Sequence, residues 1–314
     1  MRTGSGASKA VYAALAGNIL IAITKFIAAG VTESSAMASE GVHSVVDCGN
    51  ALLLLHGMRR AARPPDAAHP LGYARELYFW SFIVALLVFA LGAGVSFYEG
   101  LLHIISPRAI EDPLVTYGVL AFSALFESAS WLVAVRQFRA EKGRLGYFAA
   151  MRTSKDPTTF TVLFEDTAAL LGLAIAAAGI LAAQYLEMPT LDGVASLGIA
   201  AVLAVTAIFL AKECKELLIG EPADLQIQKA VLDVAEDDAA VHRANGVVTV
   251  HLGPDHIVAA LSVEFEEEKT APEIEACIER IEARLKKERP EIARLFVKPQ
   301  SRATWKARTA RAAT

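Results

Sequence analysis

Long apolar blocks fill residues 1–219, and a charged segment of shorter period follows them. The blocks lie near residues 10–31, 34–58, 77–98, 114–136, 158–184 and 191–212. Each is long enough to give the ~20 mostly apolar residues that carry a helix across a hydrocarbon core. The third, LYFWSFIVALLVFALGAGVSFY from Leu77 to Tyr98, contains no charge. Asp156-Pro157 and Met188-Pro189 read as helix starts for the fifth and sixth blocks, because proline is tolerated at the first helical position. The first block follows Arg2 and Lys9 but is longer than a signal-peptide core and contains Lys25, so it is read as a retained helix.

After LLIGEPAD (Leu217 to Asp224) the period changes. Residues 225–237 suit a helix, and VVTVHL and IVAALSVEF flank Gly253-Pro254-Asp255-His256 as the arms of a hairpin. APEIEACIERIEARLKKE then places Ile274, Cys277, Ile278, Ile281 and Leu285 on one helical face, and ARLFV is a short strand. The expected organisation is a mainly α membrane protein: a six-helix transmembrane domain over 1–219, a cytoplasmic αββαβ domain over 220–300, and a basic, disordered tail over 301–314. Arg302, Lys306, Arg308 and Arg311 make that tail basic, with a weak attraction to anionic lipid. A solitary core of ~80 residues is marginal, so the terminal domain is expected to pair with a second copy as a homodimer.

Composition supports the choice of solvent. With 54% hydrophobic residues and a mean hydropathy of +0.41, the chain is too apolar for an ordinary soluble enzyme. Its net charge of -4 implies no nucleic-acid partner. The basic residues instead report orientation. Arg59, Arg60, Arg63 and Arg75 follow the second block, and Arg136, Arg139, Lys142, Arg144, Arg152 and Lys155 follow the fourth, whereas the intervening loops hold only Arg108. The positive-inside rule then places both termini in the cytoplasm. A bacterial-type inner (plasma) membrane is the expected location. Cys48, Cys214 and Cys277 are widely spaced and suggest neither a disulfide framework nor a zinc ribbon.

The second block carries EGVHSVVDCGN, residues 40–50, where lipid is the expected solvent. Ionisable groups there cost several kcal/mol unless they face protein or water, so they are functional candidates. Glu40, His43, Asp47 and Asn50 share one helical face. An imidazole and a carboxylate one turn apart can bind a single divalent cation, with Asn50 as a supporting donor. The competing reading is an interhelical hydrogen-bond network in which Asp47 pairs with Lys25. The fifth block adds Glu165 and Asp166, and Lys25 alone cannot neutralise Asp47, Glu127, Glu165 and Asp166. A cation site shared between the second and fifth helices answers that deficit. Glu127 and Glu99 are expected to be structural, satisfied by helix ends or by Trp131 and Tyr98.

AGNILIAITKFIAAGVTESSAMASEGVHSVVD, HPLGYAREL and the terminal αββαβ pattern together resemble the cation diffusion facilitator family. The resemblance implies six transmembrane helices followed by a cytoplasmic ferredoxin-like domain, and alternating access coupled to proton exchange. It implies metal ligation by HSVVD, that is His43 and Asp47, and by Asp166 of the fifth helix. Val162 stands where the family's second HxxxD has histidine. VLFEDTAALLG instead resembles the branch containing the mitochondrial zinc transporter of animals. On a helix of ~100° per residue Glu165 falls ~60° short of a full turn from Val162, so its longer side chain can reach toward the vacant imidazole position. Asp66 and His69 match the family's accessory zinc positions in the loop, with Tyr73 in place of a histidine; a solvated loop is the expected reading and a weak metal site the alternative. In the terminal domain His242, His251 and His256 are scattered, and surface roles are expected for them.

The implied activity is export of a divalent cation from the cytoplasm. Zinc is the expected cargo, and manganese, ferrous iron or cobalt also suit this donor set. No cofactor is expected. The alternative is a membrane-embedded metal sensor or scaffold that binds cation without net transport. No HExxH, GxSxG or GxxxxGK[ST] motif occurs, so neither hydrolase nor nucleotide-driven chemistry is indicated.

Overall fold

The computed structural model describes residues 5–107, 113–142, 146 and 155–312. Arg108, Arg144 and Arg152 of the orientation argument, and Arg2 before the first block, lie outside the described residues. The chain divides into two compact units, one formed by residues 1–63 with 76–215 and the other by 64–75 with 216–314.

The first unit is helical: α1 (Ser5–Thr32), α2 (Ser35–Ala61), α3 (Glu76–Leu87), α4 (Gly94–Ile105), α5 (Pro113–Lys142), α6 (Pro157–Tyr185) and α7 (Thr190–Ile219). A π-helical turn, Val88–Ala93, joins α3 to α4 and shifts the register of the side chains beyond it. Asp156 caps α6 by accepting from the Thr158 amide, and Pro157 fills its first turn. Among the described residues, four helical stretches are long and apolar enough to cross a membrane: Glu76–Ile105, Leu114–Arg136, Phe160–Tyr185 and Thr190–Ile219. The α2 helix falls outside that set because Glu40, His43 and Asp47 interrupt its apolar surface.

The core of this unit combines Met37, Val46, Val88, Leu120, Ala168, Leu173, Ala176, Ile180, Ile199 and Leu203. Small residues let backbones approach. A Cβ on Gly100 of α4 would stand 2.8 Å from the carbonyl oxygen of Gly193 in α7, and one on Gly193 would stand 2.8 Å from that of Gly100. Asp192 ties α7 to the start of α2. Its carboxylate accepts from Ser34 Oγ (2.8 Å), the Ser35 amide (2.6 Å) and Ser35 Oγ (2.9 Å) while fully buried. An anion at a helix N-terminus is stabilised by the unpaired amides and the helix dipole.

The second unit has the order α8 (Leu225–Glu236), β1 (Val241–Gly253), β2 (His256–Phe265), α9 (Ala271–Glu288), β3 (Ile292–Pro299) and α10 (Arg302–Ala312). The β1 and β2 strands are antiparallel, and β3 runs parallel to β2 on its other edge. One sheet face buries Ala259, Leu261 and Val263 against Val231, Val234, Ala235, Cys277, Ile281 and Leu285 of the helices. Burial pushes the Cys277 thiol up to about 11, which makes it an inert filler.

Two expectations need correction. The loop Pro64–Arg75 belongs to the second unit. Gly72 turns it at φ +83°, and Ala74 packs so tightly on Gly253 that a Cβ there would lie 2.9 Å from the Ala74 Cβ. The expected disorder of 301–314 is not found where the chain is described, because Arg302–Ala312 is helical. Ser301 Oγ accepts from the Thr304 amide at its start, and the Trp305 ring occupies the space a Cβ on Gly246 would need. One aromatic anchor on a glycine replaces the periodic apolar face that the sequence lacks.

The second unit also yields a pH prediction. Hydrogen bonds from Arg280 (2.8 and 2.9 Å) hold the Asp238 carboxyl down to about 2. A depressed carboxylate pKa contributes stability above its unfolded value of ~3.9, and that contribution is lost as pH falls toward the folded value. Asp238→Asn is therefore expected to cost about 1 kcal/mol at neutral pH, since Arg280 is largely solvated. Faster amide exchange across α9 reads the loss. The difference from the unmodified protein should shrink as pH falls from about 4 to about 2.

Candidate metal centre

Helical periodicity places His43, Asp47 and Asn50 on one face of α2, which packs against α6. His43 is 3% exposed, and its Nε2 lies 3.1 Å from Asp47 Oδ2 without hydrogen-bond alignment. Across the helix interface, Asn50 Nδ2 donates to Glu165 Oε1 at 2.7 Å, with both residues buried. Asp47, His43 and Asp166 are near enough for their charges to act on Glu165. The structure thus gathers His43, Asp47, Glu165 and Asp166 in one region. Asp166 turns toward α5 and accepts from Ser130 Oγ at 2.8 Å. Among the described residues no three His, Cys, Asp or Glu side chains already converge as an ion-holding group. The two α6 carboxylates are instead held by Asn50 and Ser130.

Lys25 is fully buried and bonds Glu40 Oε2 (3.1 Å) and Ser44 Oγ (2.9 Å). This corrects the suggestion that it pairs with Asp47. Glu40 is thereby removed from the ligand set, and the positive charge of Lys25 is spent on it. Glu127 does not use Trp131, whose Nε1 donates to Thr167 Oγ1 at 3.0 Å. The charges of Asp47, Lys25, His43 and Glu40 act on Glu127, and Glu127 in turn acts on Asp166. It therefore borders the same interior, a placement that one helix's sequence cannot reveal. Val162 is 38% exposed, whereas Glu165 faces α2.

The loop candidates are engaged differently. Asp66 Oδ1 accepts from the Ala68 and His69 amides (3.0 and 2.7 Å), and Oδ2 accepts from the Tyr73 hydroxyl (2.6 Å). The Tyr73 bond, with these amides, holds the Asp66 carboxyl below its ordinary range. His69 Nδ1 is 3.6 Å from Asp66 Oδ1, and its ring lies 4.2 Å from that of Tyr73. Asp66 shapes the turn, and both side chains are about half exposed. In the terminal unit His251 is buried with Nδ1 3.1 Å from the Gly253 carbonyl, and His242 contacts Glu266 at 3.3 Å. His251 therefore departs from the surface role expected of it.

A family profile described as the cation efflux transmembrane domain matches residues 11–219. The chain belongs to the cation efflux family, the cation diffusion facilitators. It is an integral membrane protein. It is 33% identical over 263 residues to a Homo sapiens protein named proton-coupled zinc antiporter SLC30A9, mitochondrial, covering 83% of this chain and 46% of that one. It is 32% identical over 259 residues to metal tolerance protein C4 of Arabidopsis thaliana, covering 82% and 57% respectively. The chain spans about half the length of these curated relatives. Magnetosome protein MamB of Magnetospirillum gryphiswaldense is 21% identical over 245 residues, or 78% of this chain and 77% of that protein.

Asn50 offers a direct test of this candidate site. Groups that orient metal ligands typically contribute 10–100-fold to affinity. Asn50→Ala should therefore weaken zinc binding by roughly that factor, and Glu165→Gln by at least as much, since it removes a charged donor. Adding Val162→His to Glu165→Gln should recover zinc while reducing manganese, because imidazole is the softer donor. Unchanged zinc affinity in Glu165→Gln would remove Glu165 from the ligand set.

Proposed function

We propose that this chain moves a divalent cation, zinc first, out of the cytoplasm in exchange for protons. The ion binds between α2 and α6 on His43, Asp47, Glu165 and Asp166. The observation that carries this reading is the 2.7 Å bond from Asn50 to Glu165, which joins the two acidic helices one turn beyond Asp47. With Lys25 committed to Glu40, a cation or protons must balance the remaining carboxylates. Ligation needs ionised carboxylates and neutral imidazole, so loading the metal releases protons and reprotonation favours its departure. Membership of the cation efflux family and the name of the human relative support zinc and proton exchange.

Six crossings are proposed for the first unit, with the Arg59–Arg63 end of α2 cytoplasmic under the positive-inside rule. The second unit is proposed as a metal-independent dimerisation domain. Val248, Ala260 and Phe296 are register partners across β1, β2 and β3, and all three are exposed on the sheet face opposite the core. Full-length protein in detergent should remain dimeric in excess chelator at micromolar concentration, and Phe296→Glu should yield monomers. Dissociation by chelator alone would contradict packing as the cause.

Reconstitution into vesicles with a zinc-sensitive dye tests transport, and parallel assays with manganese, iron and cobalt rank the cargo. A sensor or scaffold would bind the ion and give no net flux.

A further inference from the structure

Where α2 begins, at the opposite end from Arg59 and Arg60, the first unit contains a cavity of about 420 Å³ lined in part by Gly30, Glu33, Ser34, Glu99, His103 and Ser106. Among the described residues its wall carries Glu99 and the His103 imidazole. Glu99 and His103 lie one turn apart on α4, on one face, which is the spacing of His43 and Asp47 on α2. His103 is only 6% exposed, and its Nε2 has no hydrogen-bond partner among the described residues. That nitrogen stands 3.8 Å from Asp192 Oδ2.

Asp192 is fixed by Ser34 and Ser35 and is fully buried, so it is a rigid carboxylate behind the ring. A carboxylate facing one nitrogen of an imidazole favours the proton there and leaves the other nitrogen free to donate to a metal. With Nε2 beside Asp192, Nδ1 is the His103 nitrogen left to take a ligand, and Glu99 lines the same cavity.

We infer that Glu99 and His103 form a second binding site for a divalent cation of zinc type, with Asp192 positioning the imidazole and water completing the coordination. Nitrogen and oxygen donors in this combination suit zinc and its neighbours rather than magnesium or calcium. The site lies about 12 Å along α2 from His43, counting from Ser35 at 1.5 Å per residue. Between the two, Ser39 Oγ and Glu40 Oε1 on α2 and Ser96 Oγ on α4 are buried without partners among the described residues. Such buried atoms are normally satisfied, which ordered water can do. The role of the site as a stop on the ion's path rests on the transport reading above; the binding itself does not.

Zinc titration of the full-length protein in detergent micelles, read as bound metal per chain, tests the inference. Asp47→Ala should lose one equivalent relative to the unmodified protein. Adding Glu99→Gln or His103→Ala should lose a second equivalent, or weaken it by at least tenfold, with the gel-filtration profile unchanged. The loop and terminal-domain histidines are common to all these proteins and cancel in the comparison. If His103→Ala fails to fold, the half-buried Glu99→Gln decides. Unchanged zinc stoichiometry and affinity on adding Glu99→Gln would overturn the site. Loss of an equivalent with Glu99→Gln but none with Asp47→Ala would uphold this site and reject the transport-site assignment.

Discussion

Asp47→Ala and Asp166→Ala are each expected to abolish saturable zinc flux while leaving the protein folded. Asp47 is the carboxylate beside His43, and Asp166 is one of two carboxylates that α6 brings to the same interior. Losing a charged donor from a four-donor site should exceed the 10–100-fold penalty of losing a mere supporting contact. Folding should survive, because Asp47 is partly exposed and its removal relieves repulsion with Glu165 and Glu127. Flux into dye-loaded vesicles and helix content by circular dichroism provide the two readouts. Normal flux in both variants would reject the shared site.

Lys25→Met should have the largest effect on stability. The Lys25–Glu40 pair is fully buried, and removing one member leaves the other as an uncompensated charge, at a cost of about 3–5 kcal/mol. Glu40 cannot turn away easily, because its Oε1 occupies the space beside Gly172 where a Cβ would sit. The double variant Lys25→Met/Glu40→Gln should recover most of the loss, since a neutral pair carries no orphaned charge. Thermal unfolding of the single and double variants in detergent gives the coupling directly. Equal destabilisation in Lys25→Met and the double variant would mean that packing, not charge, governs the site.

The sequence makes the local half of this architecture readable. Glu40, His43, Asp47 and Asn50 share a face because helical spacing fixes it, and Asp156-Pro157 announces α6 because capping chemistry is local. The αββαβ order of the terminal unit follows from alternation and turn residues in the same way. Contacts between helices leave no such trace. Nothing in the chain order says that Lys25 meets Glu40 rather than Asp47, that Ser130 holds Asp166, or that Glu127 borders the site. Asp192 is a first-turn acidic residue like many others until the fold sets it against Ser34 and Ser35. The π turn in Val88–Ala93 was hidden inside an uninterrupted apolar run. The α10 helix has no apolar stripe to announce it, because a single tryptophan against Gly246 anchors it.

The central claim is that zinc crosses through the α2–α6 site in exchange for protons, and simultaneous recording of both ions in one vesicle population tests it most directly. Vesicles loaded with a zinc dye and a pH dye, with no initial pH gradient, should show zinc entry accompanied by proton exit, both absent with Asp47→Ala. Zinc entry without proton movement, or equal zinc entry through the Asp47→Ala protein, would contradict the account.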